Sequence, residues 1–320
     1  MKELVIISGK GGTGKTSICA SLAVLSGGCV VADCDVDAAD LHLVLSPKVQ
    51  RREPFTAGKR ARIKAGHCTA CGKCEELCRF EAIRFDGPGN GKVAKTFRVD
   101  ALACEGCGVC TWFCAEEAIE FVPTVGGEWF ISETRCGPMV HAKLGIAESN
   151  SGKLVSIVRQ NARRLAEERG HDLVIIDGSP GVGCPVIASI TGASLVLAVT
   201  EPTPSGLHDL TRVVQLTRHF GAPVIVCVNK WDLNPQMSDA IDAFCREQSI
   251  PVAGRIRYDR AFTRAQIQSR TVVEASNDGV AEDIRSLWNV VHTKLGAPSR
   301  KEHSGHGTPG IAHGVVEAPE

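Results

Sequence analysis

Apolar residues in this chain fall into short continuous runs, not alternating ones. ELVIIS (3–8), CVVAD (29–33), DLVIID (172–177), SLVLAVT (194–200), APVIVCVN (222–229) and PVAGRI (251–256) are each too short for a helix and too continuous for a half-buried strand. Each is followed by a stretch of helical length. Strands buried on both faces, alternating with helices, predict an α/β fold built on a parallel sheet with helices on either side. The first helix is expected to start at Gly14 or Lys15 and to run to about Leu25.

The stretch 61–122 breaks the pattern. It is rich in Cys and Gly, predicts no long helix, and contains a duplication: CTACGKCEELCRFEAIRF (68–85) aligns with CEGCGVCTWFCAEEAIEF (104–121), both ending in Glu-Ala-Ile-x-Phe. The segment before it, SPKVQRREPFTAGKRARIKAG (46–66), is basic and punctuated by Pro and Gly. It reads as a solvated linker, or more sharply as a docking strip for an acidic redox partner. From Ala297 the chain is polar and rich in Gly and Pro, the composition of a disordered tail. The expected organisation is a main domain in two parts, 1–60 and 123–296, an inserted small α+β module at 61–122, and a tail at 297–320.

The 320 residues are 43% hydrophobic and 22% charged, with a formal net charge of zero, so a packed core is expected. Nothing in the charge suggests nucleic acid as a partner. No apolar run is long enough to span a bilayer, so no stable membrane insertion is expected. The N-terminus opens directly into a strand pattern without the order of a signal peptide. Fifteen cysteines without an export signal point to a reducing, cytoplasmic setting and to metal chemistry, not disulfides.

Gly9-Lys10-Gly11-Gly12-Thr13-Gly14-Lys15-Thr16 fits G-x-x-x-x-G-K-[ST] between a strand and a helix. Its glycines let backbone N–H groups converge on phosphate oxygens at a helix N-terminus, with Ser17 next in line. Lys15 is expected on the β- and γ-phosphates, and Thr16 on Mg²⁺. Cys68, Cys71, Cys74 and Cys78 have the spacing C-x₂-C-x₂-C-x₃-C, and Cys104, Cys107, Cys110 and Cys114 repeat it. This resembles the bacterial ferredoxin run, whose fourth cysteine ligates the other cluster. The resemblance implies one [4Fe–4S] cluster on Cys68, Cys71, Cys74 and Cys114, and a second on Cys104, Cys107, Cys110 and Cys78. The usual Pro after the fourth cysteine is replaced by Arg79 and Ala115, which removes no ligand. Structural zinc sites favour two widely separated C-x₂-C pairs, which these runs are not.

The early lysine, Lys10, makes the loop the deviant Walker A pattern K-G-G-x-G-K-T. With it the chain resembles the MinD/ParA/nitrogenase-iron-protein superfamily of SIMIBI-type P-loop NTPases, in a subfamily carrying an inserted ferredoxin domain. The resemblance covers about residues 1–296. It implies an ATP-dependent homodimer in which Lys10 reaches the partner's nucleotide. It also implies that Asp35, in ADCDVDAADLHL (32–43), orients the attacking water, and that Asp177, in VIIDGSPGVG (174–183), holds the Mg²⁺ shell. Asn229, Lys230 and Asp232 match the segment that contacts adenine. Two cysteines outside the module, Cys136 and Cys184, suggest a third [4Fe–4S] cluster bridging two subunits. The expected function is nucleotide-gated electron transfer to a redox partner protein. A cluster assembly or carrier ATPase and a redox-sensing docking protein are the alternatives.

Overall fold

The computed structural model describes residues 1–145 and 150–296. The tail expected from 297 lies outside them. Eleven strands are numbered in chain order: β1 (Lys2–Ser8), β2 (Val30–Asp33), β3 (Lys48–Ile63), β4 (Ile83–Gly87), β5 (Thr96–Val99), β6 (Ile119–Thr134), β7 (Gly137–Leu144), β8 (Leu173–Pro180), β9 (Leu195–Thr200), β10 (Val224–Asn229) and β11 (Val252–Ile256). Nine form one sheet in the order β11-β10-β9-β1-β8-β2-β7-β6-β3, and β4 and β5 form a separate pair. From β11 to β7 the neighbours are parallel, whereas β6 and β3 are antiparallel additions. The α/β P-loop architecture expected from the apolar runs is present, with all six runs in the parallel part.

The strands are apolar throughout because both faces are covered. On β1, Val5 and Ile7 pack with the helix Ser151–Arg169 and its neighbours, while Leu4 and Ile6 pack with the helices Lys15–Leu25 and Val280–Gly296. A charged pair lies at the edge of this core. Glu3 is 4% exposed and accepts from Arg159 Nε at 3.1 Å and Nη2 at 2.7 Å, with Arg163 closing the other side. This network ties the start of β1 to the helix Ser151–Arg169.

The basic stretch 46–66 is not a linker. Most of it is β3, paired with β6 from Lys48 opposite Glu133 to Ile63 opposite Ile119. Its basic side chains meet β6 acids: Arg52 bonds Glu128 at 2.8 Å and Arg62 bonds Glu120 at 2.5 Å. Pro54, Gly58 and Pro123 concealed these strands. An edge ribbon tolerates such residues because its outer edge needs no partner and irregularities absorb them. The register shifts at Val49/Arg51, Phe55/Thr56 and Thr56/Gly58 are of that kind. The cysteine module hangs from the far end of this ribbon.

Candidate functional sites

The first site lies at the C-terminal ends of the parallel strands. After β1 the chain turns through Gly12 and Gly14, at φ 79° and 89°, into the helix Lys15–Leu25. A Cβ on Gly14 would stand 2.4 Å from Asn229 Nδ2. That amide donates to the Thr13 carbonyl at 2.7 Å, so the end of β10 fixes the loop. Lys230 donates to the Gly12 carbonyl at 3.0 Å. Asp232 accepts from the Tyr258 N–H at 2.7 Å, which places it on a neighbouring turn.

Three carboxylates face Lys15. Its Nζ lies 2.7 Å from Asp177 Oδ1 and 3.2 Å from Asp35 Oδ2, and all three side chains are nearly buried. Asp33 stands beside Asp177 in the register of β2 and β8 and is fully buried. Burial alone would depress the Lys15 ammonium, but Asp177 and Asp35 hold it above its ordinary value. Burial pushes Asp33 well up, and the Asp177 charge adds to it. Asp35 is pushed up by burial against the pull of Lys15. Asp33 Oδ2, Asp177 Oδ2 and Thr13 Oγ1 are buried without a hydrogen-bond partner. Buried acceptors left open in a carboxylate cluster beside a P-loop fit a divalent cation and its water shell. The two acidic strand ends are also joined to each other: Cys34 N–H donates to the Asp177 carbonyl at 2.8 Å, and Ser179 Oγ donates to the Cys34 carbonyl at 2.7 Å.

Two residues here escaped the sequence reading. Asp33 stands out in the sequence only as the last residue of the apolar run CVVAD (29–33). Glu201, just past β9, is the partner of Lys10, with Nζ 2.6 Å from Oε1. The signal available for both was an acid at the end of an apolar run, as in CVVAD (29–33) and SLVLAVT followed by Glu201.

The second site is the module. Its duplication is visible in the backbone: Ala70 and Gly106, Gly72 and Gly108, and Glu81 and Glu117 all have positive φ at matching positions. Gly72 and Gly108 each open a single helical turn, Lys73–Glu76 and Val109–Trp112. The Ala82 N–H donates to Cys78 Sγ at 3.4 Å, and the Ala118 N–H donates to Cys114 Sγ at 3.3 Å. One cleft is lined by Cys68, Cys71, Cys74 and Cys114. Another is lined by Cys78, Cys104, Cys107 and Cys110. The fourth cysteine of each run therefore stands with the other run. Burial pushes the Cys74 and Cys110 thiols up to about 11, so a metal must displace their protons.

Cys136 and Cys184 are not brought together. Cys136 is 7% exposed in the turn before β7, where its carbonyl accepts from the Cys29 N–H at 3.3 Å. Cys184 is exposed and opens the helix Cys184–Ile190, past the opposite ends of the strands. Within one chain the two cysteines therefore lie at opposite ends of the parallel strands β7 and β8.

Residues 4–272 match the CobQ/CobB/MinD/ParA nucleotide binding domain, and the chain belongs to that family. It is 36% identical over 236 residues to the uncharacterized protein MJ0578 of Methanocaldococcus jannaschii, across 72% of this chain and 79% of that one. Among solved structures, the cell division ATPase MinD of Pyrococcus furiosus is similar, with TM-score 0.53 at 18% identity over 91% of this chain and 98% of that one. The MinC:MinD cell division complex of Aquifex aeolicus is similar with TM-score 0.54 at 14% identity, covering 98% and 100%. At these identities the likeness is one of fold. No helix among the described residues is long and apolar enough to cross a membrane.

Proposed function

We propose that this chain is a dimerising P-loop ATPase that carries two [4Fe–4S] clusters and couples its nucleotide state to electron transfer with a redox partner protein. The observation that carries this reading is the pair of clefts, each lined by four cysteines drawn crosswise from both runs. The module's own core supports the same conclusion. It comprises Cys68, Ile83, Phe97 and Ala118, with further cysteines packed against it. So small a core needs a staple, and bound metal supplies one.

In the nucleotide site, Lys15 would trade its two carboxylates for the β- and γ-phosphates. Thr16 and Asp177 would hold Mg²⁺, with Asp33 beside its water shell. Asp35, on the loop after β2, would hold the attacking water for hydrolysis. Asn229, Lys230 and Asp232 would face the base. Mg²⁺ would supply charge neutralisation at the phosphates. The hydrogen bonds joining Cys34 to Asp177 and Ser179 give the two acidic strand ends a common response to what binds between them.

Iron and sulfide quantitation on anaerobically purified protein tests the cluster assignment. About eight irons per chain are expected. Cys114→Ser should remove the signal of one cluster, and Cys78→Ser that of the other. Metal-free protein, or one zinc per run, would refute it. The coupling is tested by ATPase rates with clusters oxidised and reduced; identical rates and nucleotide affinities would leave two unconnected activities.

A further inference from the structure

Lys10 is not a free loop side chain. Its ammonium lies 2.6 Å from Glu201 Oε1, 3.0 Å from Ser205 Oγ and 3.4 Å from Thr203 Oγ1. An ammonium has three donors, and here each has an acceptor within its own chain. The acceptors are fixed. Thr203 caps the helix Pro204–His219 by accepting from the Gly206 N–H at 2.9 Å, and Ser205 stands in its first turn. Glu201 is clamped from its other side, where Lys230 Nζ meets Oε2 at 3.2 Å. Burial would raise the Glu201 carboxyl, yet the bonds from Lys10 and Lys230 hold it below the usual range, so it stays charged. The same Lys230 reaches the Gly12 carbonyl. One carboxylate thus ties the early lysine of the P-loop to the loop after β10.

We propose that Glu201 is the positioning residue for Lys10: it holds the lysine inside its own protomer, and the dimer forms only by drawing Lys10 out of this cage. The inference rests on the dimeric reading above. The two states compete for one ammonium, so the strength of the cage sets the protein concentration at which dimers appear. Because Glu201 also holds Lys230, what occupies the loop after β10 bears on the same carboxylate.

Glu201→Gln keeps the shape and removes the charge. Two readouts are needed. The first is amine labelling of Lys10 in nucleotide-free protein, followed by mass spectrometry. Labelling should rise several-fold in Glu201→Gln, while other surface lysines keep their rates. The second is the dimer dissociation constant with Mg-ATP from sedimentation, in the wild-type and Lys10→Met backgrounds. In the wild type, Glu201→Gln should tighten the dimer by roughly a hundredfold, a factor of about ten for the charged hydrogen bond lost in each of the two protomers. In Lys10→Met it should change nothing. Unchanged Lys10 labelling overturns the cage. Raised labelling with an unmoved dimer constant overturns its gating role, as does an equal effect in both backgrounds. If Lys10→Met dimerises like the wild type, the dimeric reading of Lys10 fails as well, and the labelling result shows whether the cage survives that failure.

Discussion

Replacing Asp33 by Asn should make the nucleotide-free protein more stable and its nucleotide site worse. Asp33 is fully buried, one strand over from Asp177, and its Oδ2 has no partner. Its other oxygen accepts only from the Asp35 N–H, at 3.2 Å. The one cation nearby, Lys15, bonds Asp177 and Asp35 instead. A buried polar group left without a partner costs about 1–3 kcal/mol, and a charged one more. Asn removes the charge, keeps the shape, and can donate its amide to the open Asp177 Oδ2. The expected gain is about 1–3 kcal/mol, or a rise in Tm of roughly 2–8 °C for a domain of this scale. Thermal melts in chelator without nucleotide measure it. A second melt with Mg-ADP should show a smaller ligand-induced rise than the wild type, because the mutant has less strain to relieve. The pH dependence has a definite sign. Burial and Asp177 raise the Asp33 carboxyl in the folded state above 3.8. Its contribution is therefore favourable at low pH and is lost as pH rises through the folded value. The advantage of Asn should grow as the pH rises from 3.8 toward the raised folded value and should vanish below 3.8. An Asn variant that melts at or below the wild type without nucleotide, or whose advantage ignores pH, would refute the reasoning.

Gly14→Ala forces a side chain to φ 89° and to 2.4 Å from Asn229 Nδ2. The backbone cost of about 1–2 kcal/mol should appear in urea unfolding, and nucleotide affinity should fall at least tenfold by about the same energy. Glu3→Ala strands Arg159, which is 5% exposed, and should cost about 3–5 kcal/mol of stability in denaturant titration, with no specific effect on nucleotide affinity. Gly106→Ala places a Cβ 2.3 Å from the Lys59 carbonyl at φ 67°. It should lower the iron content of the module while leaving nucleotide affinity unchanged, read by iron assay and isothermal titration on one preparation.

Local signals carried the parallel part of the fold. A strand such as β8 is apolar from Leu173 to Ile176 because both its faces are covered, and this leaves a mark on every residue. The helix Lys15–Leu25 begins where the glycine pattern places it. β3 and β6 carry no such mark. Their outer halves face solvent, and their stability comes from pairing across the chain, as between Arg52 and Glu128. The Lys15 contacts follow the same division. The motif identifies the lysine and the strand-end acids, but the pairing of Lys10 with Glu201 joins residues far apart in sequence and becomes visible only when the ends of β1 and β9 are side by side.

The ribbon also says how such a chain can be assembled and taken apart. Ile63 and Ile119 face each other as the last pair of β3 and β6. Everything between them leaves and returns through one pair of adjacent residues. Excising that loop and closing the gap with a short reverse turn would restore an ordinary hairpin without moving any strand of the parallel sheet. The cysteine module thus meets the rest of the molecule's backbone at a single hairpin tip.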